Sequence, residues 1–241
     1  MNVEKPTDAM EKGYTIKCLD YGYVRYIDHL GSDRRIVEAA RISYKSPSKG
    51  DEADKKLINY LWKNRHTSPF EMVKLTLNIK MPIFIMRQYV RHRMQNLNEV
   101  SARYTELPNE FYIPEKWRKQ DAKNKQSSVQ TEDLDNKALS DAFSLNCQRQ
   151  YEFYQDLLKC GVAREMARMV LPVNIYTEIY TCWDLKNLLH FTQLRSDGHA
   201  QSEIQEYSNA IGLIVKELFP WTWEAYNKYK FQLVENNLAI L

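Results

Sequence analysis

Apolar and polar residues alternate cleanly along MVKLTLNIK, residues 72–80. Val73, Leu75, Leu77 and Ile79 fall on one side of an extended chain; Lys74, Thr76, Asn78 and Lys80 fall on the other. A period of two marks a half-buried strand. VNIYTEIYTCW, 173–183, is rich in β-branched and aromatic residues and predicts another strand. YTIKCLDYGYVRYIDHLG, 14–31, predicts a hairpin that turns near Asp20 to Gly22. Elsewhere the helical period takes over. SDRRIVEAARISY, 32–44, predicts a short helix capped by Ser32 or Asp33. A loop over 46–56 feeds a second helix through LINYLWKNRH, 57–66. Pro82 suits the first turn of a third, PIFIMRQYVRHR, 82–93. A long helix is expected over 133–159, and a short one over 161–172 that stops at Pro172. Two more follow the last strand, and in the second Ile204, Tyr207, Ile211, Ile214, Val215 and Leu218 form one apolar stripe. The polar run over 116–137 reads as a surface excursion. Strands separated by helices predict an α+β fold: a modest, mostly antiparallel central sheet with surrounding helices. Neither repeats nor a domain boundary appear, so residues 1–241 are expected to form a single domain.

Composition narrows the function classes. A net charge of +3, with acids interspersed among bases, is too mild for bulk nucleic-acid binding. No apolar run reaches the length of a membrane span, and MNVEKPTDAMEKG has no signal-peptide core, so a cytoplasmic protein is expected. Cys18, Cys147, Cys160 and Cys182 lie far apart without a CxxC and read as reduced thiols. The histidines form no HExxH, and no metal site is expected. There is no GxGxxG and no GxxxxGK, so a nucleotide would have to be held without those phosphate-cradling loops.

The densest chemistry lies in RHRMQNLNEVSARY, 91–104. Arg91, His92 and Arg93 end an apolar helix, where cations complement the macrodipole by roughly 0.3–1 kcal/mol each. A solvated helix end is therefore one reading. Context favours another. Arg87, Gln88 and Arg91 fall on adjacent turns, and Glu99, Ser101, Arg103 and Tyr104 follow in a segment without apolar periodicity. Functional groups on an irregular segment after a rigid element resemble a binding loop. Guanidinium forks suit phosphate or an imide edge. Arg168 and Arg195 also sit in apolar company. Each alone reads as a structural ion pair; several together point to a shared anionic ligand. His190 and His199 read as donors or packing groups. Ser101 with His92 lacks a third orienting group, so there is no triad.

These residues resemble the flavin-dependent thymidylate synthases. Arg91-His92-Arg93, seven residues, then Ser101 matches the family's RHR-x7-S signature, extended by RQYVRHR and NEVSARY. HTSPFE at 66–71, AREMARMVLP and LLHFTQLRSDGHAQSEIQ resemble its other blocks, and the likeness runs from about Tyr14 to about Tyr229. The resemblance implies conversion of dUMP to dTMP, with methylene-tetrahydrofolate as carbon donor, NADPH-reduced FAD as hydride source and no cysteine nucleophile. It also implies a homotetramer with shared active sites. By the same resemblance Gln88, Arg91, Glu99, Val100, Ser101, Ala102, Arg103, Arg168 and Arg195 are expected to contact dUMP. Arg195 is the expected catalytic group, favouring ionisation of the base. Ser68, Arg91, His92, Arg93, Glu99, Asp184, Lys186 and His190 are expected to contact FAD, with His66 and His199 around it. The chain departs from the family pattern at Asp184-Leu185-Lys186-Asn187-Leu188, where Asn-x-Arg-Ser-Leu is frequent. It also carries His190 where Asn is frequent and Ala102 where Gly is.

Two other readings compete. A non-catalytic RNA or nucleotide-binding module would use the arginines and the 16 tyrosines, bind with steep salt dependence and carry no flavin. A related flavoenzyme would act on another pyrimidine nucleotide.

Overall fold

The computed structural model describes residues 10–125 and 127–238; most of the N-terminal stretch read above for a leader lies outside them. A five-stranded antiparallel sheet forms the centre, in the order β1-β2-β3-β7-β4. Its strands are β1 (Thr15–Cys18), β2 (Gly22–Leu30), β3 (Lys74–Pro82), β4 (Gln95–Glu99) and β7 (Tyr176–Asp184). A separate hairpin pairs β5 (Arg118–Gln120) with β6 (Ser128–Gln130), inside the segment expected to be a polar excursion. The helices are α1 (Asp33–Arg41), α2 (Asp51–Lys63), α3 (Ile83–Tyr89), α4 (Asn136–Lys159), α5 (Arg164–Ala167), α6 (Leu185–Arg195), α7 (Ser202–Leu218) and α8 (Pro220–Leu238).

The alternation in β3 works as its period dictates. Leu75, Leu77 and Ile79 are fully buried and meet Ile179 and Trp183 of β7 on the inner face. The stripe of α7 covers that face, with Ile204, Tyr207, Ile211, Ile214 and Val215 buried and Leu218 packed at the margin. Asn78 points to the other face yet is buried, because its amide is fully used. Its oxygen accepts from Tyr23 and Arg25, and its nitrogen donates to Glu178 and the Ile179 carbonyl. Gly22 is required at the hairpin corner: a Cβ there would strike the Tyr207 hydroxyl and two carbonyls.

Several boundaries differ from expectation, each for a physical reason. The second helix begins at Asp51, earlier than its apolar run, because Asp51, Glu52 and Asp54 complement its N-terminus. Pro82 closes β3 and precedes the helix rather than opening it. The third helix stops at Tyr89: Arg91 and His92 donate to the Gln88 and Tyr89 carbonyls at three-residue spacing, tightening the chain into a turn. Arg91, His92 and Arg93 therefore follow the helix rather than end it. QNLNE, where no strand was expected, is the edge strand β4, held in register against β7 from Gln95–Trp183 to Glu99–Ile179. Three helices rather than two follow the last long strand, and Asp33 explains the start of the third. Ser32 makes no side-chain cap on α1; Asp33 instead caps α8, accepting from the Trp221 and Thr222 amides and the Thr222 hydroxyl.

Candidate functional site

Arg195 ends α6, where its own helix and the turn after α3 meet. Its Nε donates to His92 Nε2 at 3.0 Å, and its Nη2 donates to the Gln88 carbonyl at 3.4 Å. The first bond fixes the His92 tautomer: Nε2 accepts, so the ring proton sits on Nδ1. The His92 ring stands edge-on to Phe191, 5.0 Å between centroids, and near Trp183. Burial foremost, then the positive charge of Arg195 and the neighbouring His190, pushes its pKa down to about 4. His190 lies 6.2 Å away ring to ring, its pKa lowered by burial and by Lys186 one helical turn before it. Two neutral imidazoles and one guanidinium thus form a row in which positive charge is concentrated on Arg195. Burial lowers the Arg195 pKa as well, but a guanidinium remains charged.

The side chain of Gln88 turns the other way and donates to Gln201 Oε1 at 2.5 Å. Gln201 precedes α7 and was not singled out from the sequence; it stands within the quoted block HAQSEIQ, but its partner lies 113 residues upstream.

A second group lies at the end of β4. Glu99, Val100, Ser101 and Ala102 line a cleft of about 380 Å³ together with Arg168, Arg87 and Thr177. Thr177 holds Glu99, donating to its Oε1 at 2.7 Å. The Val100 amide donates to the Glu178 carbonyl, so the pairing of β4 continues one residue further. Ser101 opens a tight turn: its Oγ accepts the Arg103 amide and its carbonyl accepts those of Tyr104 and Thr105. Ala102 is buried against Leu107, Phe111 and Ile175. Among the described residues, the guanidinium groups of Arg87, Arg91, Arg93 and Arg168 have no protein partner. Arg103 does, donating to Glu165 at 3.2 Å.

The remaining predicted residues neither bond Arg195 nor line the cleft of Ser101. Asp184 caps α6, accepting the Asn187 amide at 2.9 Å, and Lys186 donates to the Asn187 side chain. Exposed Ser68 lies in a short 3-10 turn, and exposed His66 stands edge-on to Tyr60. His199 is exposed and bonds Asp197 in the turn before α7. That turn forms one wall of a larger cleft, about 670 Å³. Burial above all, with Glu206 nearby, pushes the Cys18 thiol up to about 12, far from a reactive thiolate. Among the described residues no cluster of three or more His, Cys, Asp or Glu could hold a metal ion, and no helix is long and apolar enough to cross a membrane.

Comparison with known proteins gives one answer. The profile of the family described as "Thymidylate synthase complementing protein" matches residues 25–221. A flavin-dependent thymidylate synthase of Thermus thermophilus is 50% identical over 220 residues, 91% of this chain and 81% of that protein. One from Thermosipho africanus is 45% identical over 218 residues, 90% of this chain and 95% of that protein. Among solved structures, a UMP/dUMP methylase PolB from Streptomyces cacaoi bound with 5-Br dUMP superposes with a TM-score of 0.80 at 31% identity. That match covers 88% of this chain and 97% of the other.

Proposed function

The chain belongs to the thymidylate synthase complementing protein family, and we propose that its residues methylate dUMP to dTMP as a flavin-dependent thymidylate synthase. The carrying observation is the Arg195 setting: a guanidinium half withdrawn from water, fixed by His92 and Gln88, with no carboxylate paired to it among the described residues. Carbon 5 of uracil is a weak nucleophile. Negative charge spread into the pyrimidine improves it, and a preorganised cation beside the ring stabilises that charge.

The donor set fits the groups that must bind. A nucleotide phosphate and a flavin pyrophosphate both ask for guanidinium forks, and Arg91, Arg93 and Arg168 carry such forks without a partner among the described residues. When bound, FAD reduced by NADPH supplies the hydride, and methylene-tetrahydrofolate supplies the carbon. The chain supplies position and charge. Arg168 and the turn opened by Ser101 hold dUMP, together with Glu99, Val100, Ala102 and Arg103. Ser101 donates a hydrogen bond and attacks nothing. Gln88 and Arg91 complete the nucleotide site. His92, as a neutral ring, leaves Arg195 as the local charge. Ser68, Arg91, His92, Arg93 and Glu99 take the flavin, with Asp184, Lys186 and His190 along α6 and with His66 and His199 around it.

The nucleotide residues fall into two groups, one around Arg195 and one around the cleft of Ser101 and Arg168. This supports a homotetramer in which each active site draws on more than one subunit. We treat the chain as a single catalytic domain working in the cytoplasm.

The visible spectrum of the purified protein tests the reading. A flavin band that NADPH bleaches without oxygen, at a rate that responds to dUMP, is expected. A colourless protein that also fails to bind added FAD refutes it. Running UMP beside dUMP tests the second acceptor suggested by the likeness to a UMP/dUMP methylase.

A further inference from the structure

The hairpin of β5 and β6 has strands of three residues each, and a two-stranded ribbon of that size is marginal by itself. Yet it sends a fully engaged arginine into the body of the protein. Arg118 Nε donates to Ser128 at 2.9 Å within the hairpin. Its Nη1 donates to the Ser202 hydroxyl at 2.5 Å, and its Nη2 lies 2.8 Å from both carboxylate oxygens of Glu203. Tyr112 donates to the same carboxylate at 3.2 Å. Glu203 is only 4% exposed. Burial would raise its pKa, but the bonds and charge of Arg118, together with its own amide and Gln201, hold it below the ordinary value, so the carboxylate stays ionised.

A buried ion pair is poor value as pure stabilisation, because desolvation offsets most of its attraction. Its location suggests another purpose. Glu203 and Ser202 lie in the first turn of α7, directly after Gln201, whose side chain accepts from Gln88. Gln88 in turn offers its carbonyl to Arg195. Ala200 packs the turn before α7 against the core, and on the hairpin side the turn borders open space. It faces the cleft of about 670 Å³, between His199 and Gln201 on one wall and Trp117 and Phe143 on the other. Polar bonds, rather than a packed core, fix the turn from that direction.

We propose that Arg118 and Glu203 are positioning residues: their ion pair sets the place of Gln201, and through Gln88 the place of Arg195. The kinetic part rests on the thymidylate synthase reading; the structural part does not. Two measurements on the full-length protein test it. The first is hydrogen–deuterium exchange of the peptide spanning 196–205. Arg118→Ala should speed exchange there while the sheet strands remain protected, and Arg118→Lys should recover part of the protection. Should Arg118→Ala fail to fold, Tyr112→Phe removes one bond to Glu203 without changing charge and should give a weaker form of the same local change. Unchanged exchange over 196–205 overturns the proposal.

The second is a kinetic cycle. Misplacement of a catalytic group by about 1 Å can lower turnover by about a hundredfold, so Arg118→Ala should reduce kcat by about tenfold or more. Its KM for dUMP should move less. In a Gln201→Ala background the same change should add little, because the link is already cut. Additive losses would overturn coupling through Gln201. A wild-type protein without any dUMP turnover would instead sink the thymidylate synthase reading, and the exchange result would still decide the positioning role.

Discussion

Arg195 and Arg168 are both arginines at the end of short helical segments, and the protein treats them in opposite ways. Arg195 is half-buried, its Nε and Nη2 bonded to His92 and to the Gln88 carbonyl. Arg168 is exposed at the edge of a cleft, with no partner for its guanidinium among the described residues. Arg91 and Arg93 resemble Arg168. A cation built into a network has its geometry set before any ligand arrives. A free one gains its geometry from the ligand. The first kind suits stabilisation of developing charge; the second suits capture of a phosphate. Arg195→Ala therefore gives the largest expected effect. Removing one preorganised charge donor costs about a hundredfold to a thousandfold in kcat. The KM for dUMP should change far less, and the melting temperature little. A normal kcat would erase the distinction.

Arg168→Ala should act on binding. Hydrogen bonds to charged groups contribute about 1.5–3 kcal/mol, so dUMP binding should weaken by roughly tenfold to a hundredfold, with kcat at saturation largely kept. Higher salt should weaken wild-type binding in the same direction, since exposed charges are screened. Subunit mixing sharpens the contrast. If the two groups of residues complete each other across an interface, mixing Arg195→Ala with Arg168→Ala subunits should restore some activity. Read at dUMP well below the KM of Arg168→Ala, where that parent is slow, a mixture no faster than its two parents after verified exchange would place both arginines in one subunit's site.

The sequence revealed these parts unequally. The strand at β3 was legible because its partners lie on both sides and its period alone sets the faces. β4 was not: QNLNE has weak strand character, and the register of β7 makes it extended. The cationic cluster could be read from spacing, since Arg91, His92, Arg93 and Ser101 sit close in the chain. The sequence could not reveal that Arg195 would meet His92, 103 residues away, or that Gln88 would meet Gln201. A capping aspartate could be read at Asp33, but not that it would cap α8 instead of its own helix. Local periodicity reports which face is buried; it does not report which distant polar group will satisfy a donor.

His92 offers the smallest and finest test. Its folded pKa, about 4, lies below the ordinary 6.5, so the folded protein binds fewer protons than the unfolded chain between those values. The sign follows: this contribution to stability is fully present above about 6.5 and is lost as pH falls toward 4. An NMR titration of the His92 Cε1 proton should give a midpoint near 4, and a midpoint near 6.5 would remove the neutral ring from the Arg195 setting. In Arg195→Ala the midpoint should rise, because one nearby positive charge is gone. It should not return to 6.5, because burial is the larger cause and remains. A full return would mean that Arg195 alone holds the ring neutral. The pair would then be a charge contact at a wet surface, and Arg195 would stand closer in kind to Arg168.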